Sequence, residues 1–256
     1  MIATERRSLD EVLARLPDIQ ERTKRLLARL RPHVALGPGS AVLDIGAAQG
    51  LHVVALRREG LEACGLEPWQ EAVDASREIA ERTDTPIPMS LGTAERLPYD
   101  DASFDLVIAV SVMEHVDDPD QVFREVRRVL RPGGGFYFYT SSAVSPRQNE
   151  IRGFPAFSWY PGPVKRRILD WAMENRPAII GNTEKPAYHW YTPWGSRRRL
   201  RAAGFDRVID RWELRRPEEA AGAKLTAQRA VQRSRALRLA ADVVVPESGY
   251  LALIAP

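Results

Sequence analysis

The chain is predicted to fold as an α/β protein, a parallel sheet with helices on both faces. Three observations carry this. Strand-like and helix-like patterns alternate along most of the chain. The first strands are continuous apolar runs, as strands buried on both faces require. Each connection between strands is long enough to hold a helix. With 256 residues, 44% of them hydrophobic, the chain can bury such a core as one domain.

Before the first strand, Leu9, Val12, Leu13 and Leu16, then Ile19, Leu26, Leu27 and Leu30, recur at helical spacing. They predict two amphipathic helices split at Pro17 and closed by "LGPGS". The apolar run Ala41 to Ile45 predicts a strand, and a helix follows over about Gly50 to Glu59. A second strand is expected over Glu62 to Glu67 and a second helix over about Trp69 to Arg82. After "TDTPIP" come a short strand near Ile87 to Ser90, the strand "FDLVIAVS" and the helix "DPDQVFREVRRVL". Glycine in "RPGGG" is expected to end that helix and release the strand "FYFYTSS". In such sheets ligands bind beyond the carboxyl ends of the strands. Asp44, Glu67 and Ser111 all fall on that edge.

Composition narrows the function. The single Cys64 excludes an internal disulfide and a multi-cysteine metal site, and His33, His52, His115 and His189 are scattered, so no metal is expected. No apolar run approaches a membrane span, and the start "MIATERRSLDEVLARLPD" is charged where a signal peptide would be apolar. A cytoplasmic location is the expectation. A net charge of +3 over 37 basic and 34 acidic residues is a weak signal. Basic clusters at Lys165 to Arg167 and Arg197 to Arg201 fit a solvated helix face, with an anionic substrate or peripheral membrane contact as the alternative.

The stretch "VLDIGAAQG", Val42 to Gly50, ends a buried strand with an acid and enters a turn almost without side chains. Small residues there let a ligand approach the backbone, and the helix N-terminus beyond favours negative charge. Dinucleotides and S-adenosylmethionine both use such turns. A dinucleotide fingerprint fits poorly, because Ala48 and Leu51 stand at the second and third glycine positions counted from Gly46.

The stretch resembles the first motif of the class I S-adenosylmethionine-dependent methyltransferases, an acid followed by alternating glycines, with Ala48 departing from a family glycine. "CGLEP" is similar to the family's second strand, which ends on a ribose-binding acid, here Glu67. The span "GTAERLPYDDASFDLVIAVSVMEHVDDPDQVFREVRRVLRPGGGFYFYTS" resembles the family in order: an acid-alanine-glutamate turn, a leucine-proline-aromatic step, "SFDLV", a Glu-His pair and a Pro-Gly-Gly turn. The likeness covers Val42 to Ser141 closely and Thr192 to Phe205 more loosely.

The resemblance implies a seven-stranded, mostly parallel Rossmann-like sheet and S-adenosylmethionine as cofactor, released as S-adenosylhomocysteine. It sets Asp44, Gly46, Ala47 and Gly50 against the methionine part, and Glu67, with Pro68 and Trp69, at the ribose. Thr93, Ala94 and Glu95 fall at the adenine, and Val110, Ser111 and His115 complete the pocket. Thr93 replaces a frequent aspartate and can accept from the adenine amino group only through its hydroxyl or backbone carbonyl, while the backbone N–H of Ala94 can donate to the ring nitrogen.

Methyl transfer needs nucleophile, methyl and sulfur in line, and a base when the acceptor is a hydroxyl. Glu114 and His115 are candidate bases at the sheet edge, with His115 read rather as cofactor-pocket wall or loop anchor. His189 and Tyr191, in "AYHWYTPWGS", match a family stretch that borders the acceptor pocket, with simple packing as the alternative. Between them, Pro146 to Trp194 is rich in aromatic residues and is expected to form a lid, its own small core, or both.

These readings divide the chain into an N-terminal helical cap (1–40), a methyltransferase domain (41–145 and 193–256) and an inserted lid or acceptor-binding segment (146–192). The tail "ALRLAADVVVPESGYLALIAP" after such an insertion resembles methyltransferases encoded with glycan or natural-product pathways. A small-molecule hydroxyl on a sugar-linked, lipid-linked or secondary-metabolite acceptor is therefore expected. Nucleic acid is not, since "SVME" stands where base methylases carry their catalytic tetrapeptide. The oligomeric state stays open. The rival reading is a non-catalytic cofactor-binding or partner-regulating protein that kept the fold, a reading fed by Ala48 and Thr93.

Overall fold

The structure, a computed structural model, describes residues 8–181 and 185–256. Residues 1–7, part of the expected cap, and 182–184, part of the expected insertion, lie outside the described residues.

Two helices precede the sheet, α1 (Leu9–Leu13) and α2 (Leu16–Leu30). Ser8 caps α1 in a reciprocal box with Glu11, and Pro17 sits in the first turn of α2, where its missing N–H costs nothing. Then β1 (Ala41–Ile45), α3 (Leu51–Arg58), β2 (Glu62–Glu67), α4 (Gln70–Thr83) and β3 (Met89–Leu91) alternate. They are followed by β4 (Phe104–Val110), α5 (Pro119–Val129) and β5 (Leu130–Ser141). After the insertion, which carries α6 (Gly162–Asn175), come α7 (Pro193–Ala202), β6 (Arg207–Asp210), α8 (Gly222–Arg233), α9 (Arg235–Val244) and β7 (Glu247–Leu253).

The seven strands form one sheet in the order β3-β2-β1-β4-β5-β7-β6. The first five run parallel, and β7 is antiparallel to both β5 and β6. Both faces are covered. On one, Leu27 and Leu30 of α2 and Val53 and Leu56 of α3 pack with Val42, Leu106 and Leu251 of the sheet. On the other, α5 presents Val122, Phe123, Val126 and Val129 at helical spacing to Phe136 and Phe138. The rings of Phe136 and Phe138 stack 5.1 Å apart and Phe123 lies 5.7 Å from Phe138. Asp118 holds the start of α5, its carboxylate accepting from the amides of Asp120 and Gln121 at 3.0 and 3.1 Å.

One boundary differs from the sequence reading. No glycine ends α5: Leu130 is already extended and pairs with Phe104, so β5 begins before the Pro-Gly-Gly run. The next pair is Leu106 with Gly135, so residues 131–134 bulge opposite Asp105. Arg131 pins that bulge through Asp105 at 2.9 Å.

The insertion has a core of its own. Ile151, Phe157, Leu169, Ala172 and Ile180 are buried together, with Phe154, Tyr160, Tyr188 and Trp190 packed on them. Trp159, Trp171 and Trp194 remain exposed.

Candidate active site

Asp44, the turn from Gly46 to Gly50, Glu67 and Ser111 meet at the carboxyl edge of the sheet because β1, β2 and β4 are adjacent and parallel. Gly46 and Gly50 have φ of +70° and +81°, which favours glycine, and each also lacks room for a side chain. A Cβ on Gly46 would lie 2.3 Å from Val112 Cγ2, and one on Gly50 would lie 2.5 Å from Ile87 Cγ2. Gly46→Ala is therefore expected to lower the melting temperature, with about 1–2 kcal/mol from the left-handed backbone alone and more from displacing Val112. A thermal melt equal to that of the unsubstituted chain would contradict this.

Ala48 carries its Cβ at φ +48°. Its amide donates to Glu67 Oε2 at 2.8 Å, so the turn itself orients the acid at the end of β2. Glu67 is buried, and its neighbour Ala47 also packs into the core. Asp44 is buried beneath the turn and pairs with His52 Nδ1 at 3.2 Å. Burial lowers the His52 pKa, but the Asp44 charge and hydrogen bond more than reverse it, so the net shift is upward.

Around Glu67 the edge is open and apolar. Trp69 at the start of α4, Leu91 at the end of β3 and Val110 at the end of β4 are all exposed. Pro68, Thr93 and Ser111 are exposed too, and Ser111 adopts φ +57°. Large apolar side chains left in water on the strand edge that ends in a buried carboxylate suit a ligand with a flat apolar part and hydroxyl donors. S-adenosylmethionine has both, so the residues present fit it. Leu91 was not singled out in the sequence, and only its place at a strand end beside Gly92 hints at it.

Two other expected positions also carry structural contacts. Ala94 is buried in the core. Glu95 accepts from the Asp117 amide at 2.8 Å, and its own carbonyl accepts from Gln121 at 3.3 Å. Glu95 thus braces the loop after β4.

That loop, 111–118, lies against the insertion. The carbonyl of Glu114 accepts from the amides of Tyr188 at 2.8 Å and His189 at 3.1 Å. The Glu114 carboxylate is buried and accepts from the Thr140 hydroxyl at 2.7 Å. Burial pushes its pKa up to about 7; the Thr140 bond opposes this, and the charges of Glu150 and Glu247 add to it. A carboxyl that holds its proton more tightly when folded stabilises the fold below the unfolded pKa, and that contribution is lost as pH rises through the folded pKa. Glu114→Gln keeps an acceptor for Thr140 and never ionises. Relative to the unsubstituted chain it is expected to gain on the order of 2 kcal/mol between about pH 5 and about pH 8, read by denaturant unfolding. An unchanged difference would show that the carboxyl ionises normally.

His115 borders the insertion: its pKa is lowered by burial, and Glu150 and the backbone at Pro186 and Lys185 act against that. Its Nδ1 is buried without a hydrogen-bond partner among the described residues. His189 is half-buried, its pKa lowered by burial and by the Arg199 charge, against the carbonyls of Val116 and Asp117. It lines a cleft of about 400 Å³ with Lys165, Arg166, Tyr188 and Trp190 at the start of α6. Lys165 Nζ lies 4.2 Å from the centre of the Trp190 ring. A wider cleft of about 840 Å³ opens among residues 146–156. Tyr191 is unlike His189. It is buried in the sheet core and its hydroxyl donates to the Met113 carbonyl at 2.8 Å, so it holds the loop in place from below. Among the described residues no cluster of three or more His, Cys, Asp or Glu is arranged to hold a metal.

Comparison with known proteins agrees with this geometry. Residues 43–138 match the methyltransferase domain family Methyltransf_11. The chain is 34% identical over 119 residues to methyltransferase GfsG of Streptomyces halstedii, covering 45% of this chain and 43% of that protein. It is 33% identical over 119 residues to 27-O-demethylrifamycin SV methyltransferase of Amycolatopsis mediterranei, covering 45% and 44%. The matched segment thus spans less than half the length of either relative. In fold, the chain is similar to an S-adenosylmethionine-dependent methyltransferase of Mesorhizobium loti, with a TM-score of 0.57 and 21% identity over 93% of this chain and 99% of that one. Residues 43–138 therefore match a methyltransferase domain, set in a sheet whose fold is that of known methyltransferases.

Proposed function

We propose that the protein transfers a methyl group from S-adenosylmethionine to a hydroxyl of a small molecule of the secondary-metabolite, sugar-linked or lipid-linked kind. One observation carries the cofactor half of this reading, the Glu67 carboxylate held by the Ala48 amide on a strand edge where Trp69, Leu91 and Val110 are exposed. In the bound state the cofactor supplies an electrophilic methyl on a sulfonium. Glu67 would receive the ribose hydroxyls, the Gly46–Gly50 turn would lie along the methionine part, and Trp69, Leu91 and Val110 would meet the base. On the acceptor side, the insertion serves as acceptor-binding segment and lid, and His189 takes the hydroxyl proton from its place on the cleft. The name of the Amycolatopsis relative, with its O-demethylated substrate, supports a hydroxyl acceptor.

The test is incubation with methyl-labelled cofactor and a panel of hydroxylated metabolites, sugars and quinols, scored for label transfer together with S-adenosylhomocysteine release. Transfer to a hydroxyl supports the proposal. Saturable cofactor binding with no transfer over the whole panel would favour the non-catalytic reading.

A further inference from the structure

The helix α9 sits on the molecule with its polarity inverted. At helical spacing, Ala236, Leu237, Leu239, Ala240, Val243 and Val244 share one face, while Arg238 and Asp242 share the other. An ordinary surface helix buries the first set and exposes the second. Here Asp242 is the buried residue of the helix, its carboxylate accepting from Trp212 Nε1 at 2.7 Å. Arg238 donates to Glu213 at 2.9 Å and to Asp210 at 3.2 Å. These polar bonds fix the rotation of α9 and turn its apolar face outward: Leu237 and Leu239 are each 46% exposed and Val244 56%.

What covers this face is argued from its charges. The preceding helix α8 exposes Lys224, Arg229 and Arg233, and Arg235 is exposed at the start of α9. Over residues 221–246 the single acid is Asp242, which is buried and bonded to Trp212. The exposed surface of this stretch is therefore apolar and cationic with no carboxylate. A second copy related by a two-fold axis would set that surface against itself, with cations facing cations. An anionic bilayer offers hydrocarbon to the leucines and valines and headgroup charge to the arginines and lysine.

We infer that α8 and α9 form a membrane-docking face for an anionic lipid surface, with α9 lying in the plane of the interface. The face ends near the carboxyl edge of the sheet. Val244 is followed closely by Glu247, which pairs with Ser141 at the carboxyl end of β5, so docking brings the acceptor edge of the sheet beside the bilayer. The inference does not depend on methyl transfer.

It is tested with the full chain and vesicles of phosphatidylcholine, with and without phosphatidylglycerol, by flotation at several salt concentrations. The expected result is binding to the phosphatidylglycerol vesicles that weakens with salt, at least about tenfold above binding to pure phosphatidylcholine. Leu237→Asp with Val244→Asp should abolish it, with circular dichroism reporting an intact fold. Arg229→Glu with Arg233→Glu, both on the exposed surface, should weaken it and flatten the salt dependence, and this pair still decides the matter if the first variant unfolds. Equal binding to both vesicle types, or binding untouched by the arginine pair, would overturn the inference. So would a dimer in sedimentation velocity that Leu237→Asp dissociates, because the face would then belong to a second copy.

Discussion

Replacing Glu67 with alanine is expected to weaken S-adenosylmethionine binding by about 30-fold or more, measured by calorimetry. The carboxylate is buried at the end of β2, where water does not compete for it, and the Ala48 amide aims it at 2.8 Å. Losing a charge-assisted hydrogen-bond pair in such a place costs about 2–4 kcal/mol, which is the fold-change just given. Alanine also leaves the Ala48 amide without its acceptor, so a modest fall in melting temperature should accompany the loss. Glu67→Gln separates the two effects: its amide oxygen still accepts from Ala48, so stability returns while affinity stays reduced. Affinity unchanged in both variants would mean that the cofactor does not use this strand end.

His189→Ala is expected to lower turnover by about 10²- to 10⁴-fold while cofactor affinity stays near its original value. Burial and Arg199 lower the pKa of this imidazole, which keeps it neutral near pH 7 and able to accept a proton. The acidic limb of the pH–rate profile should vanish with the side chain. His115→Ala serves as the contrast, since that ring sits against Glu150 and the Lys185–Pro186 backbone and is expected to affect the packing of the insertion more than proton transfer. Full turnover in His189→Ala with a hydroxyl acceptor would assign the proton to another group. Glu114, buried and with its pKa near 7, would be the next to replace.

Much of the sheet edge was legible because its signals are local. Ala41–Ile45 and Glu62–Glu67 have the bounds that their apolar runs suggested, since each is buried on both sides and closed by an acid and a turn. The start of β5 was not legible, because Pro-Gly-Gly reads as a turn in sequence and only pairing with β4 shows it to be a bulge within a strand. Tyr191 shows the limit for side chains. An aromatic residue before Thr-Pro looks the same whether it lines a cleft or, as here, donates to Met113 from inside the core. The pair α8 and α9 was missed for a related reason: periodicity reports that a helix has two faces, but which face turns inward depends on Trp212, Asp210 and Glu213 far along the chain.

The insertion leaves and rejoins the sheet at one point. Ser142 pairs with Tyr191, the Ala143 amide donates to the Tyr191 carbonyl at 2.9 Å, and the Tyr191 amide donates to Ser141 at 3.1 Å. The described residues between them fold around Phe157 and Leu169 and meet the 111–118 loop at the Glu114 carbonyl. A segment whose two ends are already clamped together adds little closure entropy to the domain, whatever its length or content. It can be exchanged as a cassette. With the acceptor-binding role proposed for the insertion, a chimera carrying another insertion between residues 143 and 190 should keep its β1, β2 and β4 edge intact and take its acceptor preference from the donor.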